Sequence, residues 1–366
     1  ASQGWWSSGY REKKVKHLWG STRVRVRKVV NKAKQHRQVY LDKSLDHSGW
    51  TPKALQCLMD LVARLPLEEA SKVASNFGLQ ISSSELDRLI RLYARSCQKT
   101  VSEALHKKAS GVLEKQLRKP HLSHQQQGRV MVLQLDGVYV LGQPQNGHCP
   151  GLELKTAVLY PQNAPSQRWM LAERCSVDEF LLLLVGLLEQ ASIKPADTLL
   201  GLGDGAAWIE RCFDYLQATR ITDVYHACEY LELVMQALSW DEQTRNKHRC
   251  SWYKGAVNAR DWLEAHLPEP EVWLCWDEDV QKALTYLDKR LDSMDYAHFT
   301  KRGYPIGSGQ VEAMNKAVIG HRLKRSGMHW SESGARNMAS LRAQVCAKHP
   351  LVHFDELRHT AFPAPA

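Results

Sequence analysis

The sequence YPIGSGQVEAMNKAVIGHRL, residues 304–323, opens with a Pro and a Gly-Ser-Gly turn and then continues in a helical pattern. Gly and Pro interrupt regular structure before the helix begins. Val311, Met314, Val318 and Ile319 recur at helical spacing. The stretch therefore predicts a turn followed by an amphipathic helix.

Glu312 falls in the first turn of this helix, and no other carboxylate occurs in residues 296–331. A lone acid among bases suits a site that holds a metal ion and touches a phosphate backbone. An ordinary helix start, with Ser308 as N-cap and Glu312 favoured by the helix dipole, is an equal alternative. The neighbouring basic side chains are His321, Lys316, Arg322, Lys324 and Arg325.

Composition limits the class of protein. The chain has 366 residues, enough for two or three domains, and is 43% hydrophobic and 24% charged. Its longest apolar run, residues 180–188, is too short to cross a bilayer, and no signal peptide is visible. The 9 cysteines include no Cys-x-x-Cys pair, so reduced thiols are expected. These features predict a cytoplasmic protein without a membrane partner.

The net charge of +10 is concentrated in residues 1–43. Such a basic block is typical of an arm that binds an anionic polymer, and a solvated tail is the alternative. Within it, residues 22–30 alternate Val with Arg, which predicts a strand with Arg23, Arg25 and Arg27 on one face. That face suits phosphates, or it protects an edge strand by charge.

Residues 51–98 predict three helices, the last two joined by a short Gly-containing turn as in a helix-turn-helix. The third helix would expose Arg88, Arg91 and Arg95, which suit guanine edges or phosphates. Any packed three-helix unit gives the same pattern, so this interpretation stays open. The third helix is expected to continue into residues 99–128. It should break at Lys119-Pro120, where we expect a domain boundary.

From residue 129 the pattern changes to β-β-β-α-β-α-β-α, which indicates an α/β layer fold. Asp136 and Asp204 each end a predicted strand beside glycine, where functional groups of α/β sheets collect. Together with Glu312 they could bind divalent ions for phosphoryl transfer. Taken singly, each Asp is more commonly a turn or cap residue. Asp223 and His226 could order the site or bind a metal, although a structural hydrogen bond is at least as plausible.

Four motifs of this chain resemble the DDE transposases of bacterial insertion sequences, in the Kra-type group related to Mutator-like elements. They are LDGVYV at 135–140, LGDGAAWI at 202–209, DVYHACEYL at 223–231, and YPIGSGQVEAMNKAVIGHRLKRSGMHWSESGARNMASLRA at 304–343. The resemblance implies an RNase H-like fold with Asp136, Asp204 and Glu312 as the catalytic, metal-binding acids. It also implies that Asp223 and His226 form a D-x-x-H signature. Relatives often carry a Cys-x-x-Cys pair after the basic β-run, and residues 31–37 have none.

The resemblance further implies two Mg²⁺ or Mn²⁺ ions per site, a multimer acting on paired DNA ends, and a bacterial protein associated with the nucleoid. Its DNA partners would be the terminal repeats of the element and the target DNA. Two alternatives are a catalytically silent, domesticated DNA-binding protein and an RNase H-type nuclease. The expected divisions are a basic arm with a β-run (1–50), a helical DNA-binding domain (51–128), the first part of the core (129–238), an all-helical insertion (239–300), the C-terminal helices of the core (301–348) and a tail (349–366).

Overall fold

A computed structural model of the chain describes residues 5–40, 48–116, 128–194 and 196–361. The strands are β1 (Trp5–His17), β2 (Gly20–Asn31), β3 (His36–Tyr40), β4 (Val130–Leu141), β5 (Gly151–Pro161), β6 (Trp169–Glu173), β7 (Thr198–Gly203) and β8 (Thr219–Thr222). The helices up to residue 237 are α1 (Pro52–Arg64), α2 (Leu67–Asn76), α3 (Ser83–Gln116), α4 (Val177–Gln190), α5 (Ala207–Tyr215) and α6 (Val224–Ala237). The later helices are α7 (Glu242–Tyr253), α8 (Ala259–His266), α9 (Pro270–Trp273), α10 (Glu278–Asp288), α11 (Tyr296–Lys301), α12 (Gly309–Met314), α13 (His321–Leu323), α14 (Glu332–Cys346) and α15 (Phe354–Ala361).

The central sheet has five strands in the order β6-β5-β4-β7-β8. Strands β4, β7 and β8 are parallel, whereas β5 is antiparallel to both of its neighbours. The predicted alternation of strands and helices from residue 129 is therefore present. The architecture is mixed α/β, and its central sheet is compatible with an RNase H-like core.

One strand differs from the sequence prediction. The strand predicted to end at Asp136 instead continues past it as β4, because the pairing of β4 with β5 runs through Asp136 and Gly137 without a break. Thr156 supports this pairing, since its hydroxyl donates to the backbone oxygen of Asp136 at 3.0 Å. Gly137 does not end the strand. It makes room for the Glu153 carboxylate, which would lie 2.8 Å from a β-carbon at this position.

The basic N-terminal block forms a three-stranded antiparallel sheet in the order β1-β2-β3. Arg23, Arg25 and Arg27 are exposed on the same face of β2, as the alternation predicted. This sheet is attached to the helical region, because Lys16 forms an ion pair with Glu85 of α3 at 2.9 Å.

Helix α3 is one continuous element of 34 residues, so the predicted third helix continues beyond residue 98 as expected. It packs against α4, α14 and α15, so the helical region shares a core with the central sheet. Gly186 of α4 allows this contact, because a β-carbon there would collide with the backbone oxygen of Leu105. The predicted boundary near Lys119-Pro120 lies outside the described residues.

Residues 239–300 contain only helices and turns in the structure. Their tryptophans mainly fill a core: Trp252 and Trp262 are buried, and Trp240, Trp273 and Trp276 pack partly buried against it. Residues 349–366, expected to be a tail, include α15, whose Leu357 is 2% exposed and packs in the core. No helix among the described residues is long and apolar enough to span a membrane.

Candidate active site

The three predicted acids come from separate parts of the chain and meet at one edge of the central sheet. The parallel pairing of β4 with β7 ends at Gln134 and Leu202. Asp136 and Asp204 each lie two residues beyond this last pair, so the strand directions bring them together. Glu312 is on α12, which packs against β4 and β5. Asp136 and Glu312 line the same cleft, of about 440 Å³, together with Asn315, Lys316 and Lys324.

Asp204 is held in a tight turn between β7 and α5. Its Oδ1 accepts the N–H of Ala206 at 2.8 Å, and Gly205 has a φ of +82° that favours glycine. Two side chains of the helical region 239–300 hold this turn from outside. The Tyr286 hydroxyl donates to the backbone oxygen of Asp204 at 2.5 Å, and Arg290 donates to that of Gly205. Asp204 therefore does act as a turn residue. This role uses Oδ1 and leaves the second carboxylate oxygen available.

Asp136 and Asn315 are hydrogen-bonded to each other in the cleft. Asn315 Nδ2 donates to Asp136 Oδ2 at 2.6 Å, while Asp136 Oδ1 accepts the N–H of Gly137 at 2.7 Å. Asn315 is 9% exposed, and its Oδ1 is buried without a hydrogen-bond partner among the described residues. Sequence reasoning missed Asn315, although its position three residues after Glu312 places both on one helix face.

The electrostatic environment of Asp136 disfavours its charge. Burial raises the pKa of this carboxyl, and the negative charges of Asp204 and Glu312 raise it further. Hydrogen bonds from Gly137 and Asn315 act in the opposite direction without cancelling the rise. Asp204 and Glu312 are thus close enough to affect the pKa of Asp136. Their positions in the sequence, with spacings of 68 residues from Asp136 to Asp204 and 108 from Asp204 to Glu312, did not require this proximity.

Glu312 is positioned through Ser308. Ser308 takes the N-cap position of α12, but its side chain does not cap that helix. Its hydroxyl instead lies 2.9 Å from Glu312 Oε1 and in short contact with Asp223 Oδ2, so it lies between the two carboxylates and can donate its one proton to either of them. Ser308 also donates its backbone N–H to Asp223 Oδ2 at 2.7 Å.

Asp223 has a structural role and does not bond to the His226 ring. Its Oδ1 caps α6 by accepting the N–H groups of Tyr225 and His226 at 2.7 and 3.1 Å. The His226 side chain contacts Glu229 and the rings of Tyr230 and Tyr286. The Asp-x-x-His spacing thus reflects a helix cap, with Asp223 joined to Glu312 through Ser308.

The oxygen ligands in the cleft, together with the neighbouring Asp204, suit a hard cation. Asp136, Asp204, Glu312 and the unpartnered Asn315 Oδ1 all offer oxygen, and none of the three acids forms an ion pair within the described residues. In those residues no three His, Cys, Asp or Glu side chains are arranged to hold an ion by themselves. Mg²⁺ usually takes one or two carboxylates and keeps several waters, so it does not need such a cage.

The basic residues predicted to touch phosphates divide into two groups. Lys316 and Lys324 are exposed and line the cleft. Arg325 forms an ion pair with Glu69 at 3.3 Å. Arg322 differs from the prediction, since it is 4% exposed and donates to the backbone oxygen of Val62 at 3.2 Å. Burial lowers its pKa to about 10, so Arg322 stays charged at neutral pH and supports the end of α1.

A π-helical segment, Asn315–Gly320, separates α12 from α13. Such segments are rare and occur frequently at functional sites. Buried Arg342 of α14 holds this one in place by donating to the backbone oxygens of Ala317, Val318 and Ala63. No sequence pattern indicated this arrangement, because Arg342 appears there only as one base on an amphipathic helix.

The other predicted DNA contacts do not line the cleft. Tyr10 of β1 lies beneath the arginine row of β2, with the guanidinium carbons of Arg25 and Arg27 at 5.4 and 5.8 Å from its ring centre. Arg88, Arg91 and Arg95 are exposed on α3. No contact tests their binding to DNA, so their roles remain predictions.

We expect Asp136→Asn to raise the melting temperature of the metal-free protein by about 2 °C at pH 7. A raised carboxyl pKa means that the folded state binds the proton more tightly than the unfolded state. Stability is therefore lost as pH rises from 3.8 through the folded-state pKa, and the charge is unfavourable at neutral pH. Asn315 can turn its unpartnered Oδ1 toward the new amide.

The measurement is thermal unfolding with and without Mg²⁺ or Mn²⁺. Added ion should stabilise the wild type and have little effect on the variant. Asp197→Asn is the opposite control: burial there acts to raise the carboxyl pKa, but hydrogen bonds from Arg129 and Lys194 outweigh it, so the charge is favourable. A lower melting temperature for Asp136→Asn without ion would contradict the electrostatic argument.

Comparison with protein-family models gave no match, and no curated protein matches the chain. Among solved structures, the chain is similar to the one described as "Mos1 transposase paired-end complex with left transposon end". The sequence identity is 11%, the alignment covers 70% of this chain and 80% of that chain, and the TM-score is 0.18. A TM-score this low carries no argument, so the function below is inferred from the residues of the cleft.

Proposed function

We propose that this chain is a DNA transposase that cleaves the ends of its own element and joins them to target DNA. The observation that carries the proposal is the meeting of Asp136, Asp204 and Glu312 at one edge of a mixed five-stranded sheet. The resemblance of the surrounding motifs to DDE transposases supports the same conclusion from the sequence. The basic side chains beside the acids suit a nucleic-acid substrate.

Asp136, Asp204 and Glu312 would hold two Mg²⁺ or Mn²⁺ ions, with Asn315 beside Asp136. When bound, such ions activate the attacking oxygen and stabilise the leaving oxygen of phosphoryl transfer. Asn315 fixes the orientation of Asp136, and Ser308 fixes that of Glu312. Lys316 and Lys324 line the open side of the cleft, where they can neutralise the phosphate backbone.

The reaction has two steps in this proposal. Water first attacks the phosphodiester at the end of the element and releases a 3′-hydroxyl. That hydroxyl then attacks a phosphodiester of the target, joining one strand and releasing a new 3′-hydroxyl. Each step exchanges one P–O bond for another, so no external energy source is required.

The test is a strand-transfer assay with purified protein, Mg²⁺ and a labelled duplex that carries the DNA flanking the coding sequence. We expect joined products from the wild type and none from Glu312→Gln, which keeps the size of the side chain and removes its charge. Bound but uncut DNA with both proteins would favour the silent DNA-binding alternative. Cleavage of any duplex without joining would favour the nuclease.

A further inference from the structure

A second depression, a groove of about 460 Å³, lies between α3 and residues 327–338. Arg91 and Arg95 of α3 line one side. Gln143, His329 and Asn337 line the other. The proposed reaction does not use this groove, and no sequence pattern indicated its second wall.

The polar lining is of the kind that contacts nucleic-acid backbones. Arginine, amide and hydroxyl groups make most protein contacts to phosphate and sugar. Arg91 and Arg95 are exposed, and Arg95 forms no ion pair with any residue that the structure describes. The one acid in the lining, Asp87, is already bonded to Arg91 at 2.7 Å. An anionic ligand therefore meets little repulsion there.

The groove also has a fixed apolar floor, suited to the sugar rings of a backbone. Ile90 is 3% exposed and Met338 is 5% exposed, so both belong to the packed interior. Trp330 is locked at the far side, because its Nε1 donates to the backbone oxygen of Leu323 at 3.0 Å. The floor and the far side of the depression are thus formed by side chains that packing and a hydrogen bond hold in place.

The groove and the acidic cleft are neighbours along the same two segments. The cleft is lined by Tyr139 and Lys324, and the groove by Gln143 and Gly327. The two segments are joined at the groove, since the Gln143 N–H donates to the backbone oxygen of Trp330 at 2.9 Å. Gly327 of the groove follows Lys324 of the cleft by three residues, so a DNA strand bound at Lys324 would lie near the groove.

We propose that this groove holds the sugar–phosphate backbone of the DNA beside the cleaved position, and that α3 contacts phosphates there and does not read bases. The inference rests on the proposed function, because it takes the acidic cleft as the place of cleavage. A recognition helix must enter the major groove, about 12 Å wide. The arginine side of α3 instead forms one wall of a concave surface, and other sides of the helix pack against α4, α14 and α15.

The experiment measures binding of the full chain to two labelled duplexes in EDTA, by fluorescence anisotropy at several salt concentrations. One duplex carries the DNA flanking the coding sequence, and the other has the same composition in shuffled order. We expect the double variant Arg91→Ala, Arg95→Ala to bind both duplexes about 10-fold more weakly, with the salt slope reduced by about 2. The matched control is Lys99→Ala, Lys107→Ala, which removes two exposed charges from the same helix outside the groove and should lower affinity less than 3-fold, i.e. by about 0.6 kcal/mol or less.

Three outcomes would overturn the proposal. Unchanged binding by the arginine variant would show that the groove is not a DNA surface. A loss confined to the flanking sequence would mean base readout by α3, and an equal loss in the control would mean a general charge effect. Because these measurements involve no cleavage, a failure of the groove proposal is distinguishable from a failure of the proposed function in the strand-transfer assay.

Discussion

Asp204→Asn is expected to reduce strand cleavage and joining by about 10³-fold, the upper range for loss of one group that stabilises the transition state. The substitution removes a charge that would bind metal, but it keeps an oxygen to accept the Ala206 N–H at 2.8 Å. Tyr286 and Arg290 hold the turn through backbone oxygens, which the change does not touch. Binding of the DNA ends should therefore remain within a factor of about 3, i.e. 0.6 kcal/mol.

The measurement compares initial rates of joined product with affinities from anisotropy on the same DNA. Asp214→Asn is the matched control, because Asp214 is an exposed acid of α5 paired with Arg220 at 3.4 Å, and its loss should leave both quantities unchanged. If Asp204→Asn weakens binding and joining equally, Asp204 is structural and the catalytic assignment fails.

Arg342→Met is expected to lower the free energy of unfolding by about 3–5 kcal/mol. The guanidinium is 3% exposed and donates to the backbone oxygens of Ala63, Ala317 and Val318. Ala63 lies in the last turn of α1, where carbonyl groups have no partner within the helix. Methionine fills a similar volume but leaves these buried oxygens without the donors, at about 1–3 kcal/mol each.

Chemical denaturation of the wild type and of Arg342→Met measures the difference in the free energy of unfolding. Arg211→Met is the matched control, since Arg211 forms an exposed ion pair with Asp178 and should cost less than about 1 kcal/mol. Arg342→Lys should fall between the two, because one ammonium cannot reproduce the planar fork of donors. A cost below about 1 kcal/mol for Arg342→Met would mean that the π-helical segment does not depend on this residue.

The sequence by itself predicted the parts of the fold that depend on local pattern. The Val-Arg alternation of residues 22–30 requires period-two structure, and β2 has it with the arginines on one exposed face. The order of strands and helices from residue 129 followed from apolar runs and turns. It also predicted Asp136 and Asp204, because each follows an apolar strand beside glycine, and Glu312, because it is the lone acid at the start of a basic helix.

Other features depend on contacts between distant residues, which no local pattern contains. Gly137 does not end its strand, because it pairs with Lys155 of β5 and the pairing of the two strands continues beyond it. Arg322 looks like any other base in its helix, and only the packing of α1 against that helix buries it.

The same division holds within the candidate site. The sequence identified which carboxylates to examine, because residue type and position relative to a strand are local properties. Only the tertiary structure decided that Ser308 links Glu312 to Asp223, that Asn315 contacts Asp136, and that Asp204 and Glu312 raise the pKa of Asp136. Each of these depends on which strands are neighbours and in which direction they run, and that is set by burial of the whole core.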